Sequence, residues 1–259
     1  MDHALIWTGF LASLAAGAMT GVGALPALLP AIRVSPRLQD VMLGFAAGVM
    51  LAASAFSLIV PGLEAAAETY GGELLAALTV GCGILLGTLV LWLVDEYVPH
   101  EHFFLGREGM SSNLRRIWLF VIAITLHNFP EGLAVGVGFG AGDLGAANAL
   151  AIGIGLQNLP EGLAVALALS GEDYPRGAAF GVALATGLVE PVGGLLGVTA
   201  VTIAAPLLPW GLAFAAGAMI FVISSEIIPE THRKGSKMAG TFGLMIGFVV
   251  MMVLDTTLG

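Results

Sequence analysis

Eight stretches of this chain, at about residues 5–31, 41–62, 73–97, 117–140, 145–169, 177–204, 208–229 and 237–257, are apolar for about twenty residues or more. In hydrocarbon each backbone N–H and C=O needs a partner inside the protein, so only helices or a closed barrel can span it. A barrel strand needs about ten residues and alternates polar with apolar, whereas these segments are twice as long and do not alternate. The chain therefore reads as an all-α membrane protein of eight transmembrane helices, a single integral membrane domain over residues 1–259. With 58% hydrophobic and 10% charged residues, it has too little polar surface for a soluble globule. Its 37 glycines then read as close contacts between helices. Met1-Asp2-His3-Ala4 lacks the basic region of a cleaved signal, so the first segment is expected to be a retained helix. Cys82 excludes an intrachain disulfide, and its apolar setting predicts a packing residue.

The nine basic residues sort the loops. Arg33 and Arg37, then Arg107, Arg115 and Arg116, then Arg176, and finally Arg233, Lys234 and Lys237 all fall in alternate connections. By the positive-inside rule these four connections face the cytoplasm of a cell (inner) membrane protein, and both termini face outward. Asp2, Glu64, Glu68, Glu73 and Asp143 dominate the opposite side and would concentrate cations at an outer mouth. The longest loop, residues 98–116, contains His100, Glu101 and His102 and reads as a flexible cytoplasmic segment.

Two internal repeats organise the spans. Residues 128–135 read Asn-Phe-Pro-Glu-Gly-Leu-Ala-Val and residues 158–165 read Asn-Leu-Pro-Glu-Gly-Leu-Ala-Val, in the consecutive fourth and fifth spans. Phe45-Ala46-Ala47-Gly48-Val49-Met50 in the second span is matched by Phe214-Ala215-Ala216-Gly217-Ala218-Met219 in the seventh. The paired spans run in opposite directions, which predicts a 3+2+3 arrangement with an inverted repeat and a site at the repeat interface near midplane. Pro130 and Pro160 each remove one helical hydrogen bond, from the carbonyls of Leu126 and Leu156, and predict kinked fourth and fifth helices.

A carboxylate in mid-membrane costs about 2.5–3.5 kcal/mol on insertion scales, which marks it as part of an ion or proton path. His127, Asn128 and Glu131 share one helical face, and Gln157, Asn158 and Glu161 repeat the geometry. Glu190, followed by Pro191, is central in the sixth span. Three carboxylates at one depth repel unless protonated or neutralised by cations. Oxygen donors with one imidazole suit a divalent substrate such as Zn²⁺, Cd²⁺, Fe²⁺ or Mn²⁺, and the charge is enough for two nearby ions. An intramembrane Asn or Gln also serves simply as an interhelical hydrogen bond and a lone His as a packed structural residue, readings that three glutamates at matched depth fit far less well. Ser54, Ser57 and Glu64 suit an entrance, while Asp95, Glu96, Glu226 and Glu230 suit an exit, with His100, Glu101, His102 and His232 beyond it.

At His127-Asn128-Phe129-Pro130-Glu131-Gly132, Gln157-Asn158-Leu159-Pro160-Glu161-Gly162 and Glu190-Pro191, the chain resembles the ZIP family of divalent metal transporters, in particular its bacterial GufA-like branch. The resemblance extends to Met42-Leu43-Gly44-Phe45-Ala46-Ala47-Gly48 and Glu226-Ile227-Ile228-Pro229-Glu230-Thr231-His232-Arg233. It implies eight helices with outward termini and a binuclear site. One ion would be held by His127, Glu131, Gln157 and Glu161, and a second by Asn128, Glu131, Asn158, Glu161 and Glu190. The resemblance also implies Met50, Ser57, Glu64, Asp95 and Glu226 as pathway residues. Many relatives carry His at the Gln157 position.

The expected function is transport of divalent metal, Zn²⁺ first, into the cytoplasm. No Gly-x-x-x-x-Gly-Lys-[Ser/Thr] phosphate loop occurs, so ATP is not the expected driver. An exporter would use the same ligands in reverse. An intramembrane metalloprotease is the rival enzyme, but its His-Glu-x-x-His motif does not occur. The chain is therefore not expected to be an enzyme or to need a catalytic cofactor. Its expected partners are divalent metal ions and the lipid bilayer, with a second copy of the chain as a candidate and no nucleic acid.

Overall fold

The computed structural model of the chain describes residues 3–29, 34–97, 113–171, 174–229 and 237–258, and its regular structure among them is helical. The helices are α1 (His3–Ala24), α2 (Pro36–Ala52), α3 (Val60–Tyr70), α4 (Glu73–Tyr97) and α5 (Asn113–Gly140), followed by α6 (Leu144–Ser170), α7 (Arg176–Gly187), α8 (Glu190–Ile203), α9 (Leu208–Val222) and α10 (Lys237–Leu258). Among the described residues, seven helical stretches are long and apolar enough to cross a membrane. The 28-residue α5 carries the fourth span. The protein is a multi-pass, all-α membrane protein.

Short turns set the direction of the central helices. Only residues 141–143 separate α5 from α6. Gly142 turns the chain at φ +88°, a conformation that L side chains avoid. Asp143 then caps α6, its Oδ1 accepting from the backbone N–H groups of Gly145 at 3.0 Å and Ala146 at 3.1 Å. So short a link leaves α5 and α6 antiparallel neighbours. Pro130 and Pro160 lie inside these helices without ending them.

Besides the first span, which ends in a 3-10 turn at Leu25–Leu28, three spans are not uniform α-helix, which the sequence reading did not foresee. The second span passes from α2 through a π-helical segment, Ala53–Ile59, into α3, and the seventh passes from α9 into a second π segment, Ile223–Ile227. Pro61 and Pro229 follow these segments and offer no N–H to the carbonyls of Ser57 and Ser225, which their rings also crowd. A wider turn relieves both problems. The sixth span is interrupted: α7 ends at Gly187 and α8 begins at Glu190. Pro191 offers no N–H to the Gly187 carbonyl, and a proline is tolerated in the first turn of a new helix.

Helices α1, α5, α6, α7 and α8 pack on one another, while α2 lies along α10 and α4 along α9. Outward-facing Leu74, Leu78, Leu85 and Leu89 on α4, with Met238, Phe242, Met245 and Ile246 on α10, present apolar surface suited to lipid. Cys82 belongs to this outer layer; it is exposed, not the packing residue expected from its neighbours in sequence.

Close backbone contacts make the inverted repeat visible. A Cβ on Gly132 of α5 would fall on the Glu190 carbonyl of α8, and one on Gly162 of α6 would fall on the Thr20 carbonyl of α1. Gly193 of α8 lies against the Phe129 carbonyl, and Gly23 of α1 against the Leu159 carbonyl. Gly17 and Gly187 lie against each other's carbonyls. Each contact recurs when the fourth span is exchanged for the fifth and the sixth for the first. The same holds outside, where Gly48 of α2 meets the Leu244 carbonyl of α10 and Gly217 of α9 meets the Ile84 carbonyl of α4.

These contacts predict an asymmetry between glycines. Gly132→Ala forces backbone apart at a cost of about 1–3 kcal/mol, and the detergent-solubilised protein should unfold about 5 °C lower or more. Gly81→Ala meets nothing within 4 Å and should leave the midpoint unchanged or raise it.

Candidate metal-binding centre

Helices α5, α6 and α8 deliver the polar residues singled out in the sequence to one buried region. Asn128, Glu131, Gln157, Asn158 and Glu190 have no solvent exposure, Glu161 has 4% and His127 has 6%. The antiparallel α5–α6 pair carries the two Asn-x-Pro-Glu-Gly segments, and the glycine after Glu131 lets α5 lie directly on the backbone of Glu190. The break before α8 makes Glu190 its first residue, where the positive end of the helix dipole favours a carboxylate.

Asn158 ties three helices together. Its Nδ2 donates to Glu190 Oε1 at 2.6 Å and to the Ala16 carbonyl of α1 at 2.8 Å, while its Oδ1 accepts from Gln157 Nε2 at 3.2 Å. The charges are close enough to interact: Glu131 with Glu190, Glu161 with Glu131 and His127, and Glu190 with Glu161.

Most of these buried polar atoms are not satisfied by protein partners. Oε2 of Glu161, Oε2 of Glu190, Oε1 of Gln157 and both amide atoms of Asn128 have no hydrogen-bond partner, and the Glu131 carboxylate oxygens have none of good geometry, although the Gln157 amide lies near enough to interact with them. A buried acceptor left alone costs about 1–3 kcal/mol, more when charged. A divalent cation supplies what such a set lacks, since carboxylate and amide oxygens with one imidazole are donors it accepts. Among the described residues, no three His, Cys, Asp or Glu side chains are already arranged to hold a metal ion by themselves. The amides of Asn128, Gln157 and Asn158 add oxygen donors of a kind outside that set.

The residues expected to line a pathway fall in several places. Met50 is in the core beside the second span's π segment. Ser57 lies within that segment and donates to Asp255 Oδ1 of α10 at 2.7 Å. Glu64 is exposed on α3. The side chains of Asp95 and Glu226 lie outside the described residues, as do His100, Glu101, His102, Glu230 and His232. Sequence reasoning missed Asp255, although a carboxylate in the last apolar span was signal enough to raise it. Ser54 turns back onto its own helix, donating to the Met50 carbonyl at 2.8 Å.

Known proteins resemble the chain over most of its length. The family profile described as ZIP Zinc transporter matches residues 105–255. The chain is 49% identical over 254 residues to the zinc transporter GufA of Myxococcus xanthus, covering 97% of this chain and 99% of that one. It is 52% identical over 244 residues to the zinc transporter ZIPB of Bordetella bronchiseptica, covering 93% and 78%. With the zinc transporter ZIP11 of Homo sapiens it shares 37% identity over 305 residues, covering 86% and 89%.

The Asn158 bridge gives a test of the centre. Asn158→Asp replaces a donor to Glu190 with a like charge, so in chelator the thermal midpoint should fall by several degrees. Millimolar Zn²⁺ should restore more of the midpoint in this variant than it adds to the unaltered protein. Equal metal shifts in the two would mean that the ion does not bind beside Asn158.

Proposed function

This chain belongs to the ZIP family of zinc transporters, and from that premise we propose that it carries Zn²⁺ into the cytoplasm through a two-ion site at the middle of the membrane. The observation that carries the reading is the cluster of buried, unpartnered oxygens on Glu131, Glu161 and Glu190. Such a cluster binds cations, and in a multi-pass membrane protein its use is conduction, not folding. His127, Glu131, Gln157 and Glu161 hold the first ion. Asn128, Glu131, Asn158, Glu161 and Glu190 hold the second, with Glu131 and Glu161 as bridges.

The ion enters from the acidic outer side past Glu64 and then Ser57 with its partner Asp255, and Met50 lines the way to the centre. It exchanges water for protein oxygens there and leaves toward Asp95 and Glu226. The neutral amides keep binding loose enough for release, as a conducting site requires. Cd²⁺, Fe²⁺ and Mn²⁺ compete for the same donors. The protein sits in the cell (inner) membrane with both termini outside, works as a transporter and not an enzyme, and takes no catalytic cofactor.

Reconstituted vesicles loaded with a Zn²⁺-sensitive dye test the assignment. The unaltered protein should take up Zn²⁺ in the orientation that places the basic loops inside. Glu161→Ala removes a ligand common to both ions and should slow uptake at least tenfold. Unchanged uptake by this variant contradicts the site, and flux only out of the basic-loop side contradicts the direction.

A further inference from the structure

The exchange that relates the two halves of the fold pairs Thr20 of α1 with Glu190 of α8. Gly162 abuts the Thr20 carbonyl as Gly132 abuts that of Glu190. A Cβ on Gly17 would come to 3.3 Å from Glu190 Cβ, and one on Gly187 would come to 2.7 Å from Thr20 Cβ and 2.5 Å from its Oγ1. The two side chains therefore leave equivalent points on either side of the α1–α7 crossing.

Their surroundings differ. Glu190 reaches Asn158, whose amide nitrogen is also held by the Ala16 carbonyl. Under the same exchange the counterparts of Asn158, Glu190 and the Ala16 carbonyl are Asn128, Thr20 and the Thr186 carbonyl. Asn128 has no solvent exposure, and neither its Nδ2 nor its Oδ1 has a partner. Thr20 is equally buried, and its hydroxyl is also without a partner. A helical threonine ordinarily returns its hydroxyl to a carbonyl one turn back, as Thr186 does to Ala183 at 2.8 Å. For Thr20 the carbonyl four residues back is that of Ala16, which accepts from Asn158. A threonine hydroxyl sits on Cβ, two carbons short of a glutamate carboxylate, so Thr20 does not bridge to its asparagine as Glu190 does.

We propose that Thr20 is a positioning residue for the Asn128 half of the centre: its hydroxyl, through one water, holds the Asn128 amide nitrogen and leaves the amide oxygen turned to the cargo ion. This rests on the two-ion reading above. A bridging water serves nearly as well as a direct hydrogen bond, and it fits the length that threonine lacks. The repeat thus supplies one half-site anchored by a charge and another anchored by a neutral hydroxyl, which makes the Asn128 side the looser of the two.

Zn²⁺ uptake by reconstituted protein tests it. Thr20→Val keeps the shape and removes the hydroxyl, and should raise KM about three- to tenfold with little change in maximal rate. Thr20→Ser should keep the original KM. In double-mutant cycles, Thr20→Val should add no further loss to Asn128→Ala and should multiply the loss of Asn158→Ala. Should Thr20→Val not fold, Thr20→Ala carries the same cycles. A KM within twofold of the original, loss of affinity in Thr20→Ser, or a multiplied loss with Asn128→Ala overturns the inference. The two-ion reading fails separately, through absence of uptake by the unaltered protein or its persistence in Glu161→Ala.

Discussion

At Gly132 and Gly162 helix backbone rests directly on helix backbone, α5 on Glu190 and α6 on Thr20. The geometry of the centre depends on that approach. With a side chain at either position, the helix would stand off and its glutamate, one residue earlier, would be carried away from its neighbours. Because the contact is tight, carboxylates from three helices share a region with almost no solvent exposure. Their mutual repulsion and lost hydration work against the fold. The small-residue contacts that hold α1, α5, α6, α7 and α8 together offset that penalty.

Around this core the irregular segments have a common origin in proline. Pro61 and Pro229 follow the π segments, and Pro191 accompanies the break before Glu190. In each case a carbonyl loses its helical donor, and the chain changes its winding where a polar side chain is needed. Ser57 leaves the π segment to reach Asp255, and Glu190 starts a new helix with its carboxylate at the favoured end. Deviations from regular helix therefore place these polar side chains, consistent with the rule that irregular backbone in a membrane is tolerated where protein surrounds it.

Much of this was legible in the sequence. The eight spans followed from apolar length, and the central residues from carboxylates where they are costly, because both signals are local and large. The pairing of the second and seventh spans rested on a six-residue match and recurs as the Gly48 and Gly217 contacts. What escaped was either geometric or quiet. A π turn carries no pattern of its own, and the end of α7 at Gly187 shows only once Pro191 is asked which carbonyl it leaves bare. Thr20 is an ordinary helical residue until its partner is known to be Glu190. Cys82 misled because an apolar neighbourhood in sequence means burial in a soluble protein, but also describes a face turned to lipid.

The central claim is that the buried oxygens of Glu131, Glu161 and Glu190 exist to take a divalent ion. Crystals grown with Zn²⁺, with anomalous data collected on both sides of the zinc edge, test it most directly. The account predicts one or two zinc peaks within ligand distance, about 2.0–2.2 Å, of carboxylate oxygens from at least two of these glutamates. Strong peaks confined to the surface, with the three carboxylates still unliganded, would contradict it.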